Sequence, residues 1–356
     1  MKKILLSSAA LVGVAFAAAP AMAQVDVTVG GHTKNYVGWM SQDEAVGQDV
    51  RAFDMLRESE IHFNAEGTAD NGLTYGFHVE SEVDGADGFT VEESYLYLAS
   101  NLGRVNLGSE DGANYLLQVA APSADANIDG LRQYINPFNY TGTTLSGLNT
   151  TGLDYANDVT GTNEKITYLS PNWSGFQFGL SYTPDVADAG GPGLAGFQVD
   201  DAALEDAYEA AVRYEGTFNN IGFALGAGYT QVENDTAGAG QDDINQWNIG
   251  ADFDIGAFGL GAVYTETNNI GGVDGTDSDT WVLGADYTTG PFQFGVSYLN
   301  NDVDGVADSD RYTGGVIYTV TQGLTLRGSI SYVDHDVTGA SDVDGTSVLG
   351  GIQFNF

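Results

Sequence analysis

The chain has no cysteine, so no disulfide can staple it. Its 356 residues include only 7 prolines, and only 11 lysines and arginines stand against 49 aspartates and glutamates. The formal net charge of -38 excludes the usual nucleic-acid binder, which needs clustered basic residues to neutralise phosphates. A surface this acidic repels anions and attracts cations. Long apolar runs are also missing: past the N-terminus no segment offers the roughly 18 consecutive apolar residues that a membrane-spanning helix requires. The one apolar run, Ile4 to Ala19, follows Lys2 and Lys3 and precedes Ala21-Met22-Ala23 and Gln24. That arrangement predicts a secretory signal peptide over residues 1–23 with an A-x-A cleavage site, and a mature chain from Gln24. An exported chain without disulfides must draw its stability from hydrogen bonding and burial.

Glycine and aromatics are plentiful, with 49 Gly, 19 Tyr and 17 Phe. "FQFGLSY" at 176–182 returns as "FQFGVSY" at 292–298, with looser copies at 221–229, 258–264 and 324–332. Alternate residues in these segments are apolar or aromatic, as in Phe176, Phe178, Leu180 and Tyr182, and the residues between them are mostly Gly, Ser, Gln, Ala or Thr. A period of two means strand. Sixteen strands are predicted, at about 25–40, 57–66, 72–82, 89–99, 103–109, 163–170, 175–183, 207–216, 220–231, 244–254, 257–267, 279–288, 291–300, 310–319, 323–333 and 346–356. For "FTVEESYLYLAS" at 89–100 the pattern does not decide which face is which.

Short turns such as "SNLG", "IGAF" and "TTGP" alternate with longer loops rich in Asp and Gly. An even number of strands with that alternation is the pattern of a transmembrane β-barrel, and about sixteen strands leave an aqueous channel. A soluble β-sandwich also alternates, but it would bury its apolar faces against one another. The Gly, Ser, Thr and Gln of the second face suit a confined wet lumen better. The expected class is therefore all-β, a 16-stranded antiparallel transmembrane barrel over 24–356. Its last strand would close against the first, with Ile352, Phe354 and Phe356 outward and Gln353 and Asn355 toward the lumen.

The leader, "LGRVNLGSEDGANYLL" after an early strand, "KITYLSPNWSGFQFGLSY" midway and the terminal "GGIQFNF" together resemble the general diffusion porins of Gram-negative outer membranes, alphaproteobacterial type. The resemblance covers essentially the whole mature chain. It implies a homotrimer in the outer membrane, in contact with its lipid and lipopolysaccharide, that passes small hydrophilic solutes and ions passively. It also implies a third external loop folded into the pore as a constriction, and a terminal Phe, matched by Phe356, that is read by the barrel-assembly machinery. In such porins basic wall residues oppose acidic loop residues. That role passes to Lys34 and Arg104, with Arg213 and Arg327 as further lumen bases, facing Glu110, Asp111, Asp125 and Asp129.

The residues support such a loop independently. Residues 110–162 form the longest gap between predicted strands, and Leu131, Tyr134, Ile135 and Phe138 within it have a rough helical spacing that needs a wall to pack on. By alternation Glu58, Glu60, Glu80, Glu82 and Asp286 also point inward, with Lys165 and Arg311. Lumen and loop acids outnumber the bases, so cation preference is expected. His62 and His78 fall on adjacent strands facing the lumen, near Ser81. No GxSxG, HExxH or Walker motif accompanies them, and the chain is expected not to be an enzyme. No cofactor is required. "DVDG" at 302–305 and 342–345 makes Asp302, Asp304, Asp342 and Asp344 candidate calcium ligands, although neither stretch is a full EF-hand loop. The alternative function is a substrate-specific channel, for a sugar or another small solute. A sugar slide needs a file of lumen aromatics, and only Tyr36 clearly qualifies.

Overall fold

The computed structural model describes residues 25–45, 47–85, 88–124, 128–129, 131–133, 135–141, 154–186, 203–236 and 238–356. The expected leader at 1–23 and Asp125 lie outside these. The alternating segments all form strands: β1 (Asp26–Gln42), β2 (Phe53–Thr68), β3 (Thr74–Gly85), β4 (Gly88–Ser100) and β5 (Gly103–Ser109) precede the long loop. Within that loop are one short helix, α1 (Ala113–Leu116), and a minimal hairpin, β6 (Ile128–Asp129) with β7 (Arg132–Gln133). Then follow β8 (Glu164–Leu169), β9 (Phe176–Asp185), β10 (Leu204–Phe218), β11 (Ile221–Asn234), β12 (Ile244–Ile255) and β13 (Phe258–Asn268). The chain finishes with β14 (Ser278–Thr289), β15 (Phe292–Val303), β16 (Ala307–Thr321), β17 (Leu324–Val337) and β18 (Val343–Asn355).

Among the described residues, sixteen of these strands form one closed antiparallel barrel, each paired with its neighbour in sequence and β5 with β8 across the long loop. Closure joins β18 to β1, from His32 opposite Asn355 to Gln42 opposite Gly345. Gly31 and Phe356 exchange backbone hydrogen bonds at 3.1 and 3.0 Å. Closure matters because lipid offers no partner to a free strand edge. Tight turns follow local chemistry: Asn219 and Asn220, with φ of 48° and 64°, link β10 to β11, and Asn tolerates this left-handed region better than most residues. The short turns mark the periplasmic rim.

The strands are longer than predicted at the opposite rim. β16 starts at Ala307 and β17 runs to Val337, whereas alternation stopped at 310 and 333. The added rungs of ladder carry outward Asp308, Asp334 and Asp336, with Asp308 opposite Asp336 and Asp334 opposite Asp310. These charges read as loop in the sequence, yet they sit above the lipid, where water solvates an outward carboxylate.

Outward residues such as Met55, Ile249, Leu283 and Val296 stay exposed, forming an apolar belt that no second sheet covers among the described residues. Aromatics edge the belt. Phe176 pairs with Tyr214 in one rim and Tyr182 with Tyr208 in the other, six residues or roughly 20 Å along the strands. The upper girdle continues through Trp247, Tyr264 and Trp281, with ring centroids 5.1 and 4.4 Å apart, and the lower through Phe258–Tyr287 and Phe292–Tyr318. Ile352 and Phe354 are exposed on this outer face and Gln353 is buried inside, as alternation predicted. A Leu283→Arg variant puts a charge in the middle of the belt. It is expected to lose about 2–4 kcal/mol of folding stability in lipid vesicles, measured by reversible denaturant unfolding; unchanged stability would contradict the outward assignment.

Candidate functional site: the lumen wall and its inner loop

The inner face is where chemistry can occur, and the loop after β5 occupies much of it. Its path is written into the wall as glycines. A Cβ at Gly179 of β9 would meet Ala113 at 3.0 Å, one at Gly226 of β11 would meet Val119 at 2.8 Å, and one at Gly250 of β12 the Val119 carbonyl at 2.9 Å. Farther along, a Cβ at Gly261 of β13 would lie 2.6 Å from Pro122, and one at Gly295 of β15 would lie 2.5 Å from the Ala124 nitrogen. The missing side chains form a track on which the backbone of residues 113–124 lies against the wall.

Polar clamps fix the loop to this track. Glu209 on β10 holds both legs at once: it accepts from the Asn114 backbone at 2.9 Å and from the Thr160 hydroxyl at 2.6 Å. Ser181 accepts from the Ala113 N–H at 2.8 Å, and Asn114 donates to Thr230 at 2.9 Å. The legs are tied to each other by Gln118, which donates to the Tyr155 carbonyl at 2.9 Å and accepts from the Asn157 N–H at 2.8 Å. At the root, Lys165 donates to the carbonyls of Glu110 and Gly161. Nearer the extracellular rim the binding force is apolar. Phe138, Tyr140, Tyr155 and Ala121 of the loop pack with inward Met40, Val263, Val282, Leu299, Val333 and Val343. Ile135 packs against Tyr36 and Leu349. The expectation that the loop uses the inner wall as its packing surface therefore holds for Ile135 and Phe138, and Leu131 is packed against the same core. The helical spacing does not: Arg132–Gln133 are in the hairpin and 135–140 is irregular, because packing on a wall selects side chains without needing a helix. Tyr134 lies outside the described residues.

Below Tyr36, on the periplasmic side, the wall of β1–β4 stays open to the channel, and there imidazoles and carboxylates alternate. Lys34 sits 3.1 Å from Glu58. Both Glu58 oxygens lie 2.8 Å from His32 Nε2, and His32 Nδ1 is 3.5 Å from Glu60. His62 Nε2 stands between Glu60 at 3.1 Å and Glu80 at 3.2 Å. His78 Nε2 is 3.6 Å from Glu80 and 3.8 Å from Glu93, while its Nδ1 lies 2.7 Å from the Asn64 amide oxygen. Register explains the row: Glu60 pairs with His32 on β1 and Glu82 on β3, and His62 pairs with Glu80, so inward residues of three strands fall side by side. His62 and Glu80 keep 23% and 21% of their side-chain surface exposed.

The expected site residues fall as follows. Lys34 is nearly fully buried in its pair with Glu58. Arg104 lies 3.9 Å over the Tyr97 ring and donates to Asn106 at 2.6 Å; Asn106 donates in turn to Glu110 at 2.7 Å. Arg104 and Glu110 are thus brought together through one amide. Arg213 pairs with Glu215 at 2.7 Å and donates to the Gln118 carbonyl at 2.7 Å, anchoring the loop. Arg327 faces the lumen beside Thr325. These four bases sit on β1, β5, β10 and β17, spread around the ring. Glu110, just past β5, is buried, and burial pushes its carboxyl up to about 7. Asp111 is buried, its backbone N–H donating to Glu93 at 3.1 Å. Asp129 is in the small hairpin opposite Arg132.

The acidic "DVDG" stretches are not both loops. Asp302 is the penultimate residue of β15 and Asp344 lies in β18, both facing outward above the upper girdle, where Tyr332 donates to Asp344 at 3.1 Å. Asp304 and Asp342 are in connections. Asp302 and Asp342 share one open hollow of about 390 Å³ with Asp308 and Asp336; Asp304 and Asp344 are not part of it.

Three features escaped the sequence reading. His32 is the third imidazole of the row, two residues before Lys34 on the same inward face; the alternation of β1 held that signal. The face of 89–100 was undecidable because the register shifts between Glu80 and Ser81, which oppose Glu93 and Val91, leaving Glu92 as an extra residue. Past that bulge Tyr95 and Tyr97 face inward. They join Tyr36 as lumen aromatics but form no slide, since Tyr97 donates to Glu66 at 2.6 Å and lies under Arg104. Finally, the inward apolar residues Met40, Val263, Val282, Leu299, Val333 and Val343, which give the upper half of the wet, confined lumen an apolar core under the loop, were not singled out.

The family model of the Gram-negative porins matches residues 7–339. Among solved structures, the anion-selective porin from Comamonas acidovorans is similar in fold, with a TM-score of 0.67 at 21% identity, covering 94% of this chain and 100% of that one. A triple mutant of the Rhodopseudomonas blastica porin gives 0.58 at 18% identity over 93% of this chain and 100% of that one. Uncharacterized proteins of Rickettsia felis and Rickettsia prowazekii are 27% and 30% identical over 111 residues, 28% of this chain. The matched stretch spans a quarter of the length of those relatives.

The glycine track is testable. Gly250→Leu should lift the loop from the wall without opening the barrel ladder. Added protease should then cut within 113–160 while the barrel fragment stays heat-resistant on a gel, in contrast to an uncut parent. Equal resistance of the variant's loop would show that the track does not hold it.

Proposed function

The chain belongs to the Gram-negative porin family, and from that premise we propose that it is a general diffusion porin with a preference for cations. As a member with a closed sixteen-strand barrel it is an outer-membrane channel for passive diffusion. The observation that carries the finer reading is the division of the lumen: the loop packs on wall positions from β9 round to β18 and on the upper part of β1, and the open lower wall of β1–β4 presents Glu58, Glu60, Glu80 and Glu93 beside three imidazoles and one inward lysine, Lys34, itself paired.

Charge on a low-dielectric wall sets which ions concentrate beside it. The Comamonas acidovorans porin is anion-selective by name, but selectivity resides in lining residues, and a likeness of 21% identity is one of fold. Diffusion through such a lumen needs no cofactor and no catalytic group. The same proposal places Glu110 and Asp111, at the loop root, and Arg104, joined to Glu110 through Asn106, at the neck of the channel. It also includes a homotrimer in contact with outer-membrane lipid and lipopolysaccharide, and Phe356 as the handle for the barrel-assembly machinery. The terminal strand, with its exposed Phe354 stacked 5.6 Å from Phe356, supports the last point.

In planar bilayers under a KCl gradient the reversal potential should carry the sign of potassium preference. A combined Glu60→Gln and Glu80→Gln variant should move it toward zero. A potential of the opposite sign in the parent would overturn the cation reading.

A further inference from the structure

We propose that the open wall of β1–β3 is a binding site for divalent transition-metal cations of the zinc class, built as two overlapping triads that share His62. One triad is His32, Glu60 and His62, the other His62, Glu80 and His78; within each, the donor atoms lie within 4.8 Å of one another. Mixed imidazole and carboxylate donors suit Zn²⁺, Ni²⁺ and Cu²⁺, whereas Ca²⁺ and Mg²⁺ take all-oxygen shells.

A chance meeting of acids and histidines would not also orient the rings, and here both end rings are oriented. A metal-binding histidine characteristically donates its second ring N–H to a carboxylate or carbonyl, which fixes the ring and leaves the other nitrogen for the ion. His32 does this through Nε2 to Glu58, which Lys34 steadies at 3.1 Å, so Nδ1 faces Glu60. His78 does it through Nδ1 to Asn64, so Nε2 faces Glu80. His62 Nε2 lies almost evenly between Glu60 and Glu80, at 3.1 and 3.2 Å. An ion taking the place of the proton there has a complete triad on either side.

Because His62 serves both triads, one ion occupies the pair at a time and can shift from one half to the other. Its ligands are partly exposed to the channel, so a hydrated ion reaches them without any opening step. A site strong enough to capture and shared enough to release is what conduction requires of a wall.

The test is metal binding by the folded protein in detergent, which needs no conducting pore; its failure therefore leaves the channel reading standing, and the reverse holds too. Zn²⁺ is titrated in the presence of excess Ca²⁺, which fills oxygen-only sites on the acidic loops. Bound Zn²⁺ should persist, His62→Ala should weaken it at least about tenfold, and Glu58→Gln, which touches no ion, should weaken it by about 10–100-fold through loss of ring orientation. His335→Ala, which removes the fourth histidine in its buried contact with Ser309, should change nothing. Should a variant fail to fold, Cu²⁺ bound to the parent decides the question: its electron paramagnetic resonance should show coupling to imidazole nitrogens. Displacement of Zn²⁺ by Ca²⁺, unchanged binding in folded His62→Ala, or Cu²⁺ without nitrogen coupling would each overturn the site.

Discussion

Every other feature of this molecule depends on the closure of β18 on β1. A strand within lipid has no water to satisfy its backbone, so an open edge costs several kcal/mol per unpaired group. The ladder from His32–Asn355 to Gln42–Gly345 removes both edges together. Once the ring is shut, alternation sorts side chains without further instruction: Leu283 and Ile249 must face lipid, and Glu60 and His62 must face the lumen. Closure thus creates both the apolar belt and the confined interior in which a loop can fold and charges can act at short range.

The second constraint is spatial. A loop of about fifty residues cannot enter a sixteen-strand lumen unless the wall makes room. The glycines at 179, 226, 250, 261 and 295 remove side chains along its path, and Glu209 grips both of its legs. The result is a lumen in two parts: a sealed apolar half under Phe138 and Tyr155, and an open polar wall on β1–β4. The functional consequences belong to the second part, but its exposure results from the first. Arg213 illustrates the coupling, since a base on the lumen face is committed to the Gln118 carbonyl of the loop.

Much of this was legible in the sequence, and physics explains which parts. Phe176, Phe178, Leu180 and Tyr182 announce a strand and its lipid face because lipid tolerates nothing else there. Outward Asp308 and Asp336 hid the strand ends, because above the membrane that selection lapses and a charged residue no longer distinguishes strand from loop. The Glu92 bulge erased the parity of β4, which a period of two cannot recover. Leu131, Ile135 and Phe138 were read correctly as residues seeking a wall, but their rough helical spacing reflects no helix at 132–133 or 135–140. His62 and His78 could be placed on one face from alternation; bringing His32 beside them needed the pairing register of β1 with β2, which is a property of the two strands together and not of either segment alone.

The central claim is that the inner loop divides the lumen into a covered wall and an open one. Because the chain has no native cysteine, single cysteines can report on this directly. Glu80→Cys lies on the open wall, and Thr265→Cys and Ser181→Cys lie beneath or beside the loop, where both native residues are buried. A charged, water-soluble thiosulfonate should reduce the current through the Glu80→Cys channel promptly and react with the other two at least tens of times more slowly. Equal rates at all three positions would contradict the division.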